Sequence, residues 1–364
     1  MKSRYLNLIV ILALILAGTL FPVTDASAKQ PKKPKNIILF IGDGMGVAQV
    51  HAAMAVSDQT LYMSQFPYSG LCMTQSADNY TTDSAAAGTA IACGVKTNNG
   101  MIGVTPDGTV VPSITEIVRQ KGMATGVLST SAVTHATPAS FVAHNSGRGN
   151  YEDIALDFLS GTADVFIGGG ENHFRNRKDG KDLASDLEAR GYDVVYSMDE
   201  LKASAEPKIA GLLSKEHMPT VLEGRKGMLE AMVEKAIETL SRDKEGFFLM
   251  VEGSMIDWGC HENNIEYTLA ETIDMDKAVG VALDFAKINK ETLIVITADH
   301  ETGGLTVPGK DTKTNELITH FSTKGHSSIM VPIFSFGPGA EEFSGINDNT
   351  FFFDMFLKLL KITK

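Results

Sequence analysis

Cysteine is scarce in this chain, with Cys72, Cys93 and Cys260 alone among 364 residues. Three thiols cannot build a disulfide framework, and an odd count leaves at least one over in an oxidising compartment. Buried free thiols are therefore expected, with a Cys72–Cys93 bridge the alternative to check. Cationic side chains are also in deficit, at 32 Lys and Arg against 44 Asp and Glu, for a net charge of −12. That balance argues against a nucleic-acid backbone or an anionic bilayer as partner, and it makes any phosphate site depend on local cations. No internal repeat is present, and the one biased tract is KQPKKPK at 29–35. The G-x-S-x-G elbow of ordinary serine hydrolases is missing. Gly42-Asp43-Gly44-Met45-Gly46 lacks the dinucleotide-binding spacing, and the acid among its glycines would repel a pyrophosphate.

The N-terminus is of a different character. Lys2 and Arg4 precede the apolar run LNLIVILALILAG, and Ala26-Ser27-Ala28 offers a small-x-small cleavage site. Residues 1–28 thus read as an export signal. The run is shorter than the roughly 20 residues a span needs, and nothing like a second span follows. Thr19 stands where a lipoprotein would need cysteine. A product without a membrane anchor, periplasmic or secreted and starting near Lys29, is expected. Removing Lys2, Arg4 and Asp25 makes it one unit more negative.

From Asn36 the chain alternates. NIILFI, GFFLMVEG at 246–253 and TLIVITADH at 292–300 are apolar without a period of two, as strands covered on both faces require. Residues 124–131, 163–170 and 192–195 are weaker copies. Helical stretches lie at 113–121, 183–190, 226–242 and 266–287, the third with Met228, Leu229, Met232, Val233, Ala236, Ile237 and Leu240 on one stripe. Strand alternating with helix predicts a three-layer α/β/α sandwich around a mostly parallel sheet. No break interrupts it, so residues 29–364 read as one domain. Residues 308–324 are polar and aperiodic, an excursion over the sheet edge within a short insert near 306–324.

Asp43, Glu252 and Asp299 each close one of the three strongest apolar runs, with His300 next to the last. Parallel strands end on one side, so these acids converge. Each alone can be a helix cap; together they would repel one another unless cations sit between them. Asp257 and His261 are four apart, which on a helix puts both on one face about 6 Å apart. They are either an exposed helix pair or a metal grip, and Gly259 between them weakens the helix. Imidazole with carboxylate suits zinc, and oxygen ligands alone suit magnesium. Asp257 and His261, with a further histidine such as His326, would take one zinc, and Asp43, Asp299 and His300 a second.

Ser84 follows Asp83 at the start of an alanine run and is either a helix cap or a nucleophile. Two zincs about 4 Å apart would lower the pKa of its hydroxyl, so that it needs no histidine base. The helix start also presents amide hydrogens to a phosphate. Thr137 before Pro138 reads as an N-cap, with a hydroxyl still able to face magnesium. Arg148 is either a solvated charge or a fork suited to a tetrahedral oxyanion.

GDGMG at 42–46, TDSAAAGTA at 82–90, HATPASFVAH at 135–144, IGGG at 167–170, EGSMIDWGCH at 252–261, TADHETGG at 297–304 and GHSS at 325–328 together resemble the alkaline phosphatase family in order and spacing. The resemblance covers nearly all of the chain after the signal. It implies a homodimeric phosphomonoesterase with two Zn2+ and one Mg2+ per subunit, releasing inorganic phosphate through a phosphoserine on Ser84. Arg148 would clamp the non-bridging oxygens. Asp257, His261 and His326 would hold the first zinc, and Asp43, Asp299 and His300 the second. Asp43 would bridge to magnesium beside Thr137 and Glu252. His320 lacks the G-H-S context of His326. His135 and Trp258 stand where the best-known bacterial pattern has Asp and Lys. Both lie near phosphate or magnesium in the family, so phosphate binding would fall mainly to Arg148 and the third site would loosen or accept Zn2+. Cys260 is an outside candidate for a ligand. The segment before GHSS is shorter than in many relatives, which implies an open cleft with little selectivity for the alcohol.

Rival enzymes on the same sheet fit less well. A sulfatase needs C/S-x-P-x-R, which Ser84-Ala85-Ala86 lacks, and the phosphodiesterases generally use threonine. A noncatalytic phosphate scavenger using the same helix start and arginine is the rival from another class.

Overall fold

The computed structural model describes residues 33–363, so the export signal and cleavage site read at 1–28 lie outside the described residues. The unalternating apolar runs become the middle of a ten-stranded sheet. Its strands in chain order are β1 (Asn36–Gly42), β2 (Tyr68–Met73), β3 (Ala124–Ala132), β4 (Val165–Gly169), β5 (Asp193–Val195), β6 (Ile209–Leu212), β7 (Phe247–Gly253) and β8 (Thr292–Thr297). After them come β9 (Glu301–Thr302), β10 (Leu305–Lys310), β11 (Leu317–Phe321), β12 (His326–Ser327), β13 (Val331–Phe336) and β14 (Gly345–Asp348). The sheet order is β14-β2-β13-β8-β1-β7-β3-β4-β6-β5. Within it β13 runs antiparallel to β8 and β2, while the remaining pairings are parallel.

Every residue of β1, β3, β7 and β8 is buried, which is why no alternation shows in their sequences. Neighbouring residues of β7 mark the two covered faces. Phe247 packs toward Phe285 of the Ile265–Asn289 helix, with ring centroids 6.1 Å apart. Phe248 packs toward Phe356 of the Phe351–Leu360 helix at 5.6 Å and toward Phe141 at 6.3 Å. Successive strand side chains point oppositely, so these helices cover opposite faces in three layers.

The helices expected at 113–121, 183–190, 226–242 and 266–287 form as Ile114–Gln120, Leu183–Ala189, Met228–Leu240 and Ile265–Asn289. Ser113 and Glu116 close a capping box on the first. Two expectations need correction. Residues 308–324 are not structureless; β10 and β11 pair as a hairpin separate from the main sheet, whose Lys310 Nζ donates to Ala55 O (2.9 Å) of the Val47–Val56 helix. Gly259 does not argue against a helix here: Met255–His261 is helical, and a Cβ at 259 would stand 2.7 Å from Thr268 N. The glycine lets this short helix lie against the long one.

All three cysteines are buried and free, and no Cys72–Cys93 bridge forms. Burial pushes each thiol up, to about 12 for Cys72 and Cys260. Among the described residues no helix is long and apolar enough to cross a membrane.

A buried ion cluster ties the long helix to the loop before Met228. Arg225, 1% exposed, bonds Glu271 and Asp274 (2.8 Å to the latter), and its Nε donates to Pro219 O at 3.0 Å. Arg225→Met leaves two buried carboxylates without their counter-charge and is expected to cost about 3–5 kcal/mol, measured as a shift in the urea midpoint.

Candidate metal centre

The sheet register decides where the acids fall. Ile41 of β1 pairs with Glu252 of β7 and with Thr297 of β8, and Ser129 of β3 also pairs with Glu252. Asp43, one residue past β1, and Asp299, two past β8, therefore reach the same carboxyl edge as Glu252. Between Asp43 and the Met255–His261 helix lies Gly44 at φ +73°; a Cβ there would stand 2.8 Å from Asp257 Cα and 2.9 Å from Thr302 Oγ1. Only glycine allows both that conformation and that approach.

Three groups of ligating atoms result, each with all its atoms within 4.8 Å of one another. They are Asp257 with His261 and His326, Asp43 with Asp299 and His300, and Asp43 with His135 and Glu252. His261 Nε2 lies 3.2 Å from Asp257 Oδ2, on the helical four-residue spacing, and His326 Nε2 lies 3.7 Å from Asp257 Oδ1. The outer nitrogens face backbone: His261 Nδ1 contacts Lys324 O, and His326 Nδ1 contacts Thr82 O at 2.9 Å. A carbonyl only accepts, so in the neutral ring the proton sits on Nδ1 and the Nε2 lone pair faces the carboxylate. His300 Nε2 lies 3.5 Å from Asp43 Oδ1 and 3.3 Å from Asp299 Oδ2.

Buried polar atoms without partners concentrate here. Asp43 Oδ1, Asp299 Oδ2, Glu252 Oε1, Thr137 Oγ1 and His135 Nδ1 have no hydrogen-bond partner. Burial, then mutual repulsion, pushes Asp43 well above the usual carboxylate range and Asp299 to about 6. Burial pushes Glu252 to about 7, against hydrogen bonds from Ser129 and Ser254 and a nearby Thr137 hydroxyl. Burial also pushes His300 well below its ordinary value, helped by His326, so its imidazole is neutral among the acids. For Asp257 burial is outweighed, first by a hydrogen bond from His261, which that carboxylate in turn pushes up to about 9, and the carboxyl is held low. Carboxylates and imidazole lone pairs facing one another across buried space need cations between them, and the donor types fit divalent metals.

Ser84 stands at the rim of the second group, its Oγ 3.4 Å from Asp43 Oδ2 and 3.3 Å from His300 Nε2. It is not the cap of its helix. Asp83 is, accepting from Ala86 N at 3.0 Å, which leaves the buried Ser84 hydroxyl for the centre. Thr137 is not a cap either; the Ala136–Ala139 helix has His135 at the N-cap position, and Thr137 lies inside it beside Glu252. Arg148 is no solvated charge. Its Nη1 donates to Asp83 Oδ2 (2.9 Å) and its Nη2 lies 3.4 Å from His135 Nε2. Burial works against its charge, but Asp83 holds its pKa above the ordinary value.

His135 meets His217 and Trp258 edge-on at 5.6 and 6.2 Å, and burial with Arg148 and His217 pushes it down to about 3. Cys260 takes no place in the groups and sits 3.6 Å from Gln49 Nε2 and from Thr268 Oγ1. His320 is exposed on β11 and lies outside the groups. The sequence reading missed His217, whose Nδ1 accepts from Ala132 N (3.1 Å), and the Ser129–Ser254 pair on Glu252. His217 lies in a loop without a motif, so no pattern could find it. Asp83 stood out only as the acid before Ser84, and its bonds to Gly100 N and Arg148 were not visible.

A buried serine beside carboxylate and imidazole groups on the carboxyl edge of an α/β sheet defines a metal-dependent hydrolase. Comparison with known proteins narrows this. The alkaline phosphatase family model matches residues 34–319. Alkaline phosphatase 4 of Bacillus subtilis (strain 168) is 33% identical over 454 aligned residues, covering 100% of this chain and 98% of that protein. The alkaline phosphatase from the Antarctic bacterium TAB5 matches with TM-score 0.88 and 43% identity over 92% of this chain and 100% of its own. A TAB5 mutant, His 135 Asp, with Mg bound in the M3 site, matches at 0.87 and 42% with the same coverage. The chain belongs to the alkaline phosphatase family: it hydrolyses phosphate monoesters and depends on metal.

Exhaustive chelation is expected to lower the melting temperature, because it restores the repulsion among Asp43, Asp299 and Glu252. A cation present at about 1,000 times its Kd contributes about 4 kcal/mol, and calorimetry before and after re-addition of zinc and magnesium reads the difference.

Proposed function

We propose that the reaction runs through Ser84, with phosphate transferred first to its hydroxyl and then to water. The observation that carries this is the position of Ser84 Oγ, within 3.4 Å of both Asp43 and His300. Asp257, His261 and His326 would hold one Zn2+, and Asp43, Asp299 and His300 a second. Asp43, Thr137 and Glu252 would hold Mg2+, with His135 inclining that third site toward Zn2+. Bound divalent cations supply Lewis-acid chemistry: a lower pKa for a neighbouring hydroxyl and neutralisation of charge on the attacking and leaving oxygens.

Ser84 Oγ attacks phosphorus in line as the bond to the alcohol oxygen breaks. The departing alcohol carries away a proton equal to the one the serine gives up, and water then cleaves the Ser84 phosphoester to release inorganic phosphate. Arg148, aimed by Asp83, holds two non-bridging oxygens. His135 and Trp258 wall the phosphate without adding a cation, so Arg148 is the main cationic side chain for it. The short β10–β11 hairpin leaves the alcohol half of the ester loosely constrained. We read the chain as an exported, single-domain homodimer acting on small phosphomonoesters, with no nucleic-acid partner. The N-terminal sequence and the family resemblance support that.

Ser84→Ala is expected to lower kcat/KM on nitrophenyl phosphate by about 10³-fold or more while inorganic phosphate still binds. Retained turnover would overturn the phosphoserine route. Arg148→Lys loses the fork and is expected to raise KM and the phosphate inhibition constant about tenfold, near the low end for a charge-assisted hydrogen bond. Asp43 belongs to two groups and Asp257 to one. Elemental analysis of Asp43→Asn should accordingly show a larger loss of metal than that of Asp257→Asn.

A further inference from the structure

We infer that Thr302 is a positioning residue whose single hydroxyl sets the geometry of both zinc groups at once, an inference that rests on the zinc assignments just proposed. Thr302 is fully buried, and its place is fixed from several sides. Its N donates to Gly44 O at 3.2 Å, its carbonyl accepts from Gln49 Nε2 at 2.9 Å, and it is the cross-strand partner of His326 where β9 meets β12. In β9 the side chain of Glu301 goes the other way, accepting from Gln49 Nε2 (2.8 Å) and Ser327 Oγ.

Thr302 Oγ1 contacts Asp257 Oδ1 and lies 3.2 Å from His300 Nδ1. An ionised carboxylate only accepts, so the one hydroxyl proton goes to Asp257. The same oxygen must then accept from His300 Nδ1–H. That selects the tautomer in which His300 Nε2 carries a lone pair, directed at Asp43 and Asp299. His261 and His326 are fixed by backbone carbonyls, whereas His300 is fixed by this side chain. Asp257 is in the first zinc group and His300 in the second. One hydroxyl, donating to Asp257 and accepting from His300, therefore orients one ligand of each, and its loss is felt at both positions.

The experiment is a competition titration of zinc into metal-free full-length protein against a chromophoric chelator, for the parent, Thr302→Val, Thr302→Ser and Asp257→Asn, with urea denaturation of each metal-free form. Valine keeps the shape and removes the hydroxyl. It is expected to weaken zinc binding in both steps of the titration by about 10–100-fold, the usual effect of losing a partner behind a ligand, while serine restores most of it. Equal weakening in valine and serine variants would assign the effect to packing at this position rather than to the hydroxyl and overturn the inference. Unchanged binding in Thr302→Val with weakened binding in Asp257→Asn would overturn it while leaving the zinc assignment standing. Unchanged binding in both would remove the zinc assignment and the inference with it. Should Thr302→Val not fold, Thr302→Ala against Thr302→Ser makes the same comparison.

Discussion

Asp43, Glu252, Asp257 and Asp299 are buried within one small volume at the carboxyl edge of the sheet. Arg148 is the guanidinium that approaches them, and its donors go to Asp83 and toward His135. The arrangement is unstable as a set of bare charges, and the raised carboxyl pKa values of Asp43, Glu252 and Asp299 express that instability. Cations from outside the chain are the remedy, so folding and metal loading share one free energy. Function follows from the same constraint. On the proposed reading, a hydroxyl beside cations held by these acids needs no dedicated base, and an oxyanion arriving there meets the cations rather than the bare carboxylates.

The imidazoles are held differently: a hydrogen bond to Asp257 pushes His261 up to about 9, while burial works the other way on His300 and His135. Burial lowers His300 and His135, and Arg148 and His217 press His135 further down. Backbone carbonyls take the outer nitrogens of His261 and His326. Behind Glu252, Ser129 and Ser254 occupy one oxygen and leave Oε1 free. On the other wall, His217 and Trp258 meet edge-on at 4.8 Å and pack against His135, making a rigid surface without a second cation beside the phosphate position. On the proposed reading, selectivity for phosphate falls to Arg148 and the metals together.

Legibility of the fold tracked burial. Strands β1, β7 and β8 announced themselves because both faces are covered and they carry unbroken apolar runs, at residues 37–41, 247–251 and 293–296. Strands β2, β13 and β14 went unread: YSGLCM and GIND lie at the exposed side of the sheet, where glycines and polar residues dilute the pattern, and VPIFSF carries a proline at its second position that only its antiparallel pairing with β2 and β8 makes intelligible. The hairpin of β10 and β11 was hidden for the same reason, since it packs beside a helix rather than in the sheet. At the centre, the three ligand groups could be assembled from motif spacing and family resemblance. The caps were misplaced, because Asp83 against Ser84 and His135 against Thr137 differ by one or two residues, a shift that local propensity does not resolve.

The sequence by itself determined the inventory: which acids end strands, that Asp257 and His261 sit one helical turn apart, that the chain is poor in cations, and that an alkaline phosphatase motif series runs through it. Those are properties of near neighbours, carried by strand and helix geometry alone. Only the tertiary structure decided which oxygen of each acid is free, that Arg148 leans on Asp83, that His217 backs His135, and that one threonine reaches ligands of two groups. These contacts join residues tens to hundreds of positions apart, and their distances are set by sheet register and close packing, which no short stretch of sequence encodes.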